Sequence, residues 1–246
     1  MAPKSLKYLV KRMLNGVGFE LRRASGSAQY NAVGLRAMSI QTVLDVGANT
    51  GQFAQYIRSV LPNAQLFCFE PLVGPFAKLE TLASRDALMH AFNCALGENE
   101  GTAEMFEHID HSPSSSLLRS TELSHRFYPQ SRRQAPVTVS IKALDVAVEE
   151  FGIRLEPELL IKLDVQGYED RVICGGREVF SRAAACLCEV SFDQLYGDQC
   201  TADKLWSLLA ELGFSYRGNL YQNYADDGHV IFADCLFIRC RPQRPI

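Results

Sequence analysis

From residue 40 onward, short apolar runs alternate with longer runs of helical periodicity, and no other feature constrains the fold as strongly. The first three apolar runs cover residues 42–46, 65–70 and 88–92, and helical runs at 51–60 and 75–84 separate them. Uninterrupted apolar runs of this length are typical of parallel strands that helices cover on both faces. The pattern predicts right-handed βαβαβ units in an α/β domain.

The later runs continue the alternation of strands and helices. Strands are predicted at 137–141, 159–165 and 183–190, and helices at 144–151, 169–180 and 203–212. Two last strands, 214–220 and 230–239, flank an Asp-Asp-Gly turn and are predicted to pair antiparallel. We therefore predict a mostly parallel seven-stranded sheet with helices on both faces and an antiparallel C-terminal strand pair.

Residues 98–136 break this regularity, because they are rich in serine, proline and histidine and show little periodicity. A loop of this length in a compact domain is usually a lid or a binding loop. We predict a domain at 40–246 with a substrate-loop insertion at about 98–136.

The first 39 residues are predicted to form a separate basic, amphipathic helical segment. Residues 1–30 carry six basic side chains and one acidic one, and apolar side chains recur at helical spacing at positions 6, 9, 10, 13, 14 and 17. Two interpretations are open. The helix packs on the domain or on a second copy of the chain, or residues 1–24 rest on anionic lipid as a peripheral membrane contact.

The composition limits which binding partners and which cellular compartment are expected for this chain. The net charge is −3, so the chain lacks the positive field that nucleic-acid binding requires. No run is long and apolar enough to span a membrane or to form a secretory signal. The eight cysteines are scattered and form no C-x-x-C pair, which indicates reduced, core-packed thiols in a cytoplasmic protein, free or peripheral at the inner face of the membrane.

The strongest chemical signal is the turn DVGANTG at residues 45–51, between the first strand and its helix. Gly47 and Gly51 allow a sharp turn and close approach of a ligand, while the helix start offers free N–H groups. The dinucleotide fingerprint G-x-G-x-x-G is missing, which counts against NAD. The D-x-G-x-x-x-G form resembles motif I of S-adenosylmethionine-dependent methyltransferases.

Two polar residues end the next strands. Glu70 follows Gly51 by nineteen residues, and a carboxylate at this place accepts hydrogen bonds from both hydroxyls of an adenosine ribose. Asn93 ends the third strand and is the next candidate for contact with the adenine. A solvated strand end and a plain turn are the structural alternatives for these two residues.

Several blocks together resemble the FkbM family of S-adenosylmethionine-dependent methyltransferases. They are VLDVGANTG at 43–51, FEPL at 69–72, NCALG at 93–97, IKLDVQGYE at 161–169, EVSFDQLY at 189–196 and the closing DG…DCLFIR. The resemblance covers residues 40 to 239 and implies a Rossmann-like class I methyltransferase fold. It also implies S-adenosylmethionine as cofactor and a small-molecule or glycan hydroxyl as acceptor.

The resemblance further implies that Asp45, Gly47, Asn49 and Gly51 belong to the cofactor site. One position departs from the family pattern, because Gln166 stands where the family usually has glutamate. If that position supplied charge to the site, this chain has lost it.

Asp164 closes the apolar run at 159–163, so it is the first candidate for chemistry. It is expected to take the proton of the acceptor hydroxyl or to position the amino group of the cofactor. Glu189 ends the next run and is expected to face the same crevice. The two acids form a satisfied structural pair or hold a divalent cation, and the sequence identifies no third metal ligand. His111, in the serine-rich stretch, is a further candidate for the base.

The leading hypothesis is therefore an O-methyltransferase for a hydroxyl of a sugar, glycolipid or secondary metabolite. An NAD-dependent oxidoreductase on the same type of sheet and a non-catalytic cofactor-binding module are the alternatives. A homo-oligomer is compatible with each of them.

Overall fold

The computed structural model describes residues 33–239. The basic segment predicted at 1–39 lies almost entirely outside the described residues, and only the short helix α1 (Val33–Ala37) falls within them. In the described part of the chain, no helix is long and apolar enough to cross a membrane.

A seven-stranded sheet organises the domain. Its strands are β1 (Thr42–Val46), β2 (Gln65–Phe69), β3 (Met89–Phe92), β7 (Leu159–Leu163), β8 (Ala183–Ser191), β9 (Phe214–Tyr224) and β10 (Val230–Arg239). They lie in the order β3-β2-β1-β7-β8-β10-β9. The first five are parallel, and β10 runs antiparallel to both β8 and β9. The α/β class, the mostly parallel sheet and the antiparallel C-terminal pair are confirmed.

Helices cover both faces of this sheet. They are α2 (Gln52–Val60), α3 (Val73–Ala83), α5 (Leu144–Glu150), α6 (Glu169–Cys174), α7 (Arg177–Arg182) and α8 (Ala202–Glu211), and the short α4 (Glu122–Phe127) lies in the chain between α3 and α5. The residues of the central strands β1, β2, β7 and β8 are almost all buried, which explains the uninterrupted apolar runs of these strands in the sequence. Seven free cysteines lie in the described part, and only Cys174 is exposed rather than packed in the core as predicted.

The stretch predicted as an irregular loop at 98–136 is more ordered than its sequence indicates. It contains β5 (Gly101–His108), which pairs antiparallel with the long β6 (Gln134–Ala143), and β6 also pairs with β4 (Ala95–Gly97). The prediction failed because only Met105 and Phe106 among the eight residues of β5 are large apolar side chains, so the strand shows little apolar periodicity. A substrate role for this stretch remains a prediction.

Candidate active site

Acidic residues line up across the carboxyl edge of the main sheet. Strand register pairs Val46 with both Phe69 and Leu163, and Leu163 with Cys188. One position further along each strand, Glu70 follows β2, Gly47 follows β1 and Asp164 follows β7. The corresponding residue of β8 is Glu189. Glu189 in turn pairs with Asp234 of β10. The residues are therefore neighbours because the strands end in register, at the edge where α/β sheets bind ligands.

A cavity of about 280 Å³ opens at this edge. Its floor is the strand ends, and its wall includes residues from the segment after β5. Among its lining residues are Gly47, Asn49, Glu70, Leu72, Ser112, Ser115, Lys162, Asp164, Glu189 and Asp234. Predicted cofactor and catalytic residues thus share one cavity with part of the stretch 98–136.

The glycine turn forms one end of the cavity. Gly47 and Gly51 have φ of +80° and +88°, and Asn49 between them has φ of +47°. A Cβ atom on Gly47 would lie 1.9 Å from the carbonyl oxygen of Asp164, so only glycine fits there. The turn packs against the residue that follows β7, and this contact explains why glycine is required at position 47.

Glu70 is held in the turn by backbone amides. Its Oε2 accepts a hydrogen bond from the Asn49 amide at 2.8 Å, and its Oε1 accepts one from the Leu72 amide at 2.8 Å. Burial raises the pKa of the Glu70 carboxyl to about 7, although both amides oppose that shift. Each oxygen keeps a second lone pair, so the group can still accept hydrogen bonds from a ligand in the cavity.

Asn93 and His111 do not line this cavity. The Asn93 amide donates to the carbonyl oxygens of Glu70 and Pro71 at 2.9 and 3.0 Å, so it holds the chain after β2. His111 Nδ1 lies 2.8 Å from the Ser114 hydroxyl, and its neighbour Ser112 reaches the cavity instead. The structure thus gives both residues local hydrogen-bonding roles, and the predicted adenine contact and base function gain no support.

Asp45 lies beneath the turn rather than in the cavity. Its carboxylate is 1% exposed, accepts no hydrogen bond within the described residues, and lies 3.4 Å from the ammonium of Lys162. Burial raises the pKa of Asp45, and Lys162 partly offsets this. Any influence of Asp45 on a ligand therefore passes through Lys162.

Lys162 and Asp234 were missed in the sequence. Lys162 lines the cavity, with its ammonium 3.1 Å from Asp164 Oδ2 and 3.3 Å from the Gly47 carbonyl. Burial lowers its pKa, but Asp164 and Asp45 outweigh burial and leave it raised, so the side chain is cationic. The available signal was a charged residue inside an otherwise apolar strand, and Asp234 in β10 follows the same pattern.

Asp164 and Glu189 have different environments. Both oxygens of Asp164 are engaged, one by Lys162 and the other by the side-chain amide of Gln166 at 2.7 Å. The same amide donates to Glu189 Oε1 at 2.8 Å. Burial, Asp164 and Asp234 raise the pKa of Glu189 well above its usual value. Once it is ionised, Glu189 is therefore a stronger base than an ordinary glutamate.

Asp234 completes the acidic side of the cavity. Burial and the nearby Asp164 raise the pKa of its carboxyl to about 6, and Lys162 partly opposes that shift. Within residues 33–239, no cluster of three or more histidine, cysteine or acidic side chains has the geometry of a metal site.

Glu169, at the start of α6, shapes the loop that carries Asp164 and Gln166. Its Oε1 accepts the amides of Val165 and Gly167 at 3.1 and 3.2 Å, and it does not line the cavity. Burial raises the pKa of its carboxyl from 4.5 to about 7, and the backbone amides oppose this. Its predicted placement at a helix start is confirmed.

Glu169→Gln is expected to gain stability relative to the parent as pH rises. The unfolded chain releases this proton near pH 4.5, and the folded protein releases it only near pH 7, so the parent loses stability between those values. Glutamine does not titrate, and the difference should grow by about 3 kcal/mol over that range. Urea unfolding at several pH values measures it. A pH-independent difference would show that Glu169 does not titrate in this way.

Comparison with known proteins identifies the family of this chain. The family model described as the methyltransferase FkbM domain matches residues 45–216. The chain belongs to the FkbM methyltransferase family. This membership makes it an S-adenosylmethionine-dependent methyltransferase, and the oxidoreductase and non-catalytic alternatives are set aside.

Two relatives carry specific names. The chain is 32% identical over 179 residues to the 2-O-methyltransferase NoeI of Sinorhizobium fredii, covering 68% of this chain and 70% of that protein. It is 29% identical over 153 residues to the 31-O-demethyl-FK506 methyltransferase FkbM of Streptomyces tacrolimicus, covering 54% of this chain and 58% of that protein.

Among solved structures, a methyltransferase FkbM from Methylobacillus flagellatus superimposes with a TM-score of 0.47 and 14% identity. The match covers 81% of this chain and 44% of that one, and the match to EvdMO1 covers 50% of that chain. The chain therefore spans about half the length of these two structures.

Proposed function

We propose that this FkbM-family enzyme transfers the methyl group of S-adenosylmethionine to a hydroxyl of a sugar, glycolipid or secondary metabolite. The observation that carries the proposal is the single cavity that joins the glycine turn and Glu70 to Asp164, Glu189 and Asp234. A nucleoside-type ligand fits the end of the cavity formed by the glycine turn and Glu70. An acceptor hydroxyl fits the other end, next to the carboxylates.

The residues of the turn fit the cofactor. Glu70 supplies a charged acceptor for ribose hydroxyls, and Gly47 leaves room for close approach of the chain to the ligand. Lys162 and Asp164 provide opposite charges for the carboxylate and amino group of a methionine moiety. When bound, S-adenosylmethionine supplies an electrophilic methyl group on a sulfonium, and the protein orients the acceptor oxygen and removes its proton.

Glu189 is the residue we assign to proton removal. Both oxygens of Asp164 are engaged, one by the Lys162 ammonium and one by the Gln166 amide, while Glu189 has only one oxygen in that amide contact and lines the cavity. A raised pKa makes Glu189 a better match for a hydroxyl proton than an ordinary glutamate. This assignment replaces Asp164 as the first candidate and makes Asp164 a positioning residue.

Methyl transfer to oxygen is supported by the names of the two relatives, since one is a 2-O-methyltransferase and the other acts on 31-O-demethyl-FK506. The direct test uses the full chain, S-adenosylmethionine and a panel of free sugars, glycolipids and secondary-metabolite alcohols, together with amine and thiol analogues of these acceptors. Formation of S-adenosylhomocysteine with an equal amount of methyl ether is expected for at least one class. Methylation confined to amine or thiol acceptors would overturn the assignment to hydroxyls.

Cofactor affinity is expected to fall as pH is lowered through about 7. Ribose hydroxyls donate best to an ionised Glu70, and burial leaves this carboxyl protonated below about pH 7 in the free protein. The Kd for S-adenosylhomocysteine should be flat above pH 8 and weaken by up to about tenfold per unit below 7. Calorimetric titration measures it, with Glu70→Gln as the pH-independent control. A parent Kd that is flat from pH 6 to 8 would argue against Glu70 as the ribose anchor.

A further inference from the structure

The side chain of Gln166 lies between the two acids at the ends of β7 and β8. Its Nε2 donates to Asp164 Oδ1 at 2.7 Å and to Glu189 Oε1 at 2.8 Å. Its Oε1 accepts from the hydroxyl of Tyr196 at 2.6 Å. Carboxylate oxygens accept and do not donate, so the NH₂ group of the amide points toward the acids, and Oε1 shares the single Tyr196 hydroxyl proton with the Ser114 carbonyl. One side chain therefore connects both acids.

The backbone at this residue is also held in an unusual conformation. Gln166 has φ of +56°, a left-handed value that a non-glycine residue adopts at a cost. The Ser116 hydroxyl donates to the Gln166 carbonyl at 2.8 Å, and the Tyr196 hydroxyl lies 2.8 Å from the Ser114 carbonyl. These contacts attach Gln166 to the segment 112–116, which lines the same cavity.

An amide suits this place for an electrostatic reason. Two neighbouring carboxylates repel each other, and each needs a donor when it is removed from water. An NH₂ group gives one donor to each carboxylate and adds no charge. A hydrocarbon at position 166 would leave both oxygens without that donor, and a carboxylate would add a third negative charge.

We propose that Gln166 is a positioning residue, which holds Glu189 against Asp164 so that the remaining oxygen of Glu189 faces the acceptor hydroxyl. The amide acts through Glu189 and does not itself touch the reacting atoms. Tyr196 and the segment 112–116 keep the amide in place. The catalytic part of this proposal rests on the proposed function, in which Glu189 removes the proton.

The charged and titratable groups around Glu189 come from several elements. Asp164 and Lys162 belong to the end of β7, Asp234 to β10 and Glu169 to the start of α6, while Tyr196 and Tyr128 lie in the segments that cover the site. Replacement of Gln166 leaves all of them in place, so a change in pH response reports on the amide contact.

The test compares Gln166→Leu, Gln166→Asn and Gln166→Glu with the parent. Leucine is nearly the same size and has no donor, and asparagine tolerates the left-handed backbone but is too short to reach both acids. Both should lower kcat by about 10- to 100-fold, with the KM for S-adenosylmethionine within about threefold. Gln166→Glu introduces the residue usual in the family and should shift the pH profile of kcat to lower pH, because a glutamate donates a hydrogen bond only when it is protonated. Tyr196→Phe should give the same pattern with a loss of about 3- to 10-fold.

Gln222→Leu is the matched control, because the Gln222 amide donates to the Tyr224 hydroxyl and hydrogen-bonds neither carboxylate. It should keep the parent kcat. A Gln166→Leu or Gln166→Asn enzyme with parent kcat, or a Gln166→Glu enzyme with the pH profile of the parent, would overturn the proposal.

A second measurement needs no substrate and separates this proposal from the proposed function. The Tm of Gln166→Asn relative to the parent should fall as pH rises from 5 to 8, because ionised Glu189 would lack the amide donor and be repelled by Asp164. The Tm difference between Gln222→Leu and the parent should stay constant. A constant difference for Gln166→Asn would overturn the bridging role even if methyl transfer is confirmed. A Tm difference that falls with rising pH would support the contact of Gln166 with both acids even if no acceptor is methylated.

Discussion

Replacing Glu189 with glutamine is expected to lower kcat by about 10²- to 10⁴-fold, the usual contribution of a positioned general base. The carbonyl oxygen of the new side chain can still accept from the Gln166 amide, so the shape of the site is retained. An amide cannot take the proton of the acceptor hydroxyl. The Kd for S-adenosylhomocysteine should change by less than about threefold, because no cofactor contact is assigned to Glu189.

Matched variants of the neighbouring acids locate the base. Asp164→Asn places an amide next to the ammonium of Lys162, so it should weaken cofactor binding as well as turnover. Asp234→Asn should leave cofactor affinity near that of the parent. If Asp164→Asn or Asp234→Asn abolishes turnover while Glu189→Gln stays active, the base is the aspartate and the assignment of Glu189 is wrong.

Gly47→Ala is expected to destabilise the fold by about 3 kcal/mol or more. The added methyl group would lie 1.9 Å from the carbonyl oxygen of Asp164, and backbone atoms cannot move away without breaking the register of β1 and β7. The φ of +80° adds strain that any side chain would feel. Chemical denaturation with circular dichroism measures the loss.

Gly34→Ala is the control for that substitution. Gly34 lies exposed in α1, an added Cβ atom would meet no other atom within 4 Å, and its φ is not positive. Alanine there should leave stability unchanged or raise it by up to about 1 kcal/mol. Equal stability of Gly47→Ala and the parent would show that the turn does not pack on β7 as described.

Most of the sheet could be predicted from the sequence because its central strands, β1, β2, β7 and β8, are buried on both faces. Their apolar runs, the glycine turn at 45–51 and the acids that end β2, β7 and β8 all follow from rules that act within a few residues. Those rules also placed Glu70, Asp164 and Glu189 at one edge, and the structure brings them to one cavity.

The remaining features depend on contacts between distant residues. Lys162 and Asp45 lie in different strands, and only the register of β1 and β7 makes them a pair. Whether His111 or its neighbour Ser112 reaches the cavity depends on how the segment after β5 turns, which no local pattern records. The same holds for Gln166, whose departure from the family pattern is visible in the sequence while its two carboxylate partners are not.

A crystal structure of the full chain with S-adenosylhomocysteine tests the assignment of the cavity most directly. The ribose hydroxyls are expected within hydrogen-bond distance of Glu70, the amino-acid part near Lys162 and Asp164, and the sulfur on the side that faces Glu189. Binding of the ligand outside this cavity, or with its ribose away from Glu70, would contradict the assignment.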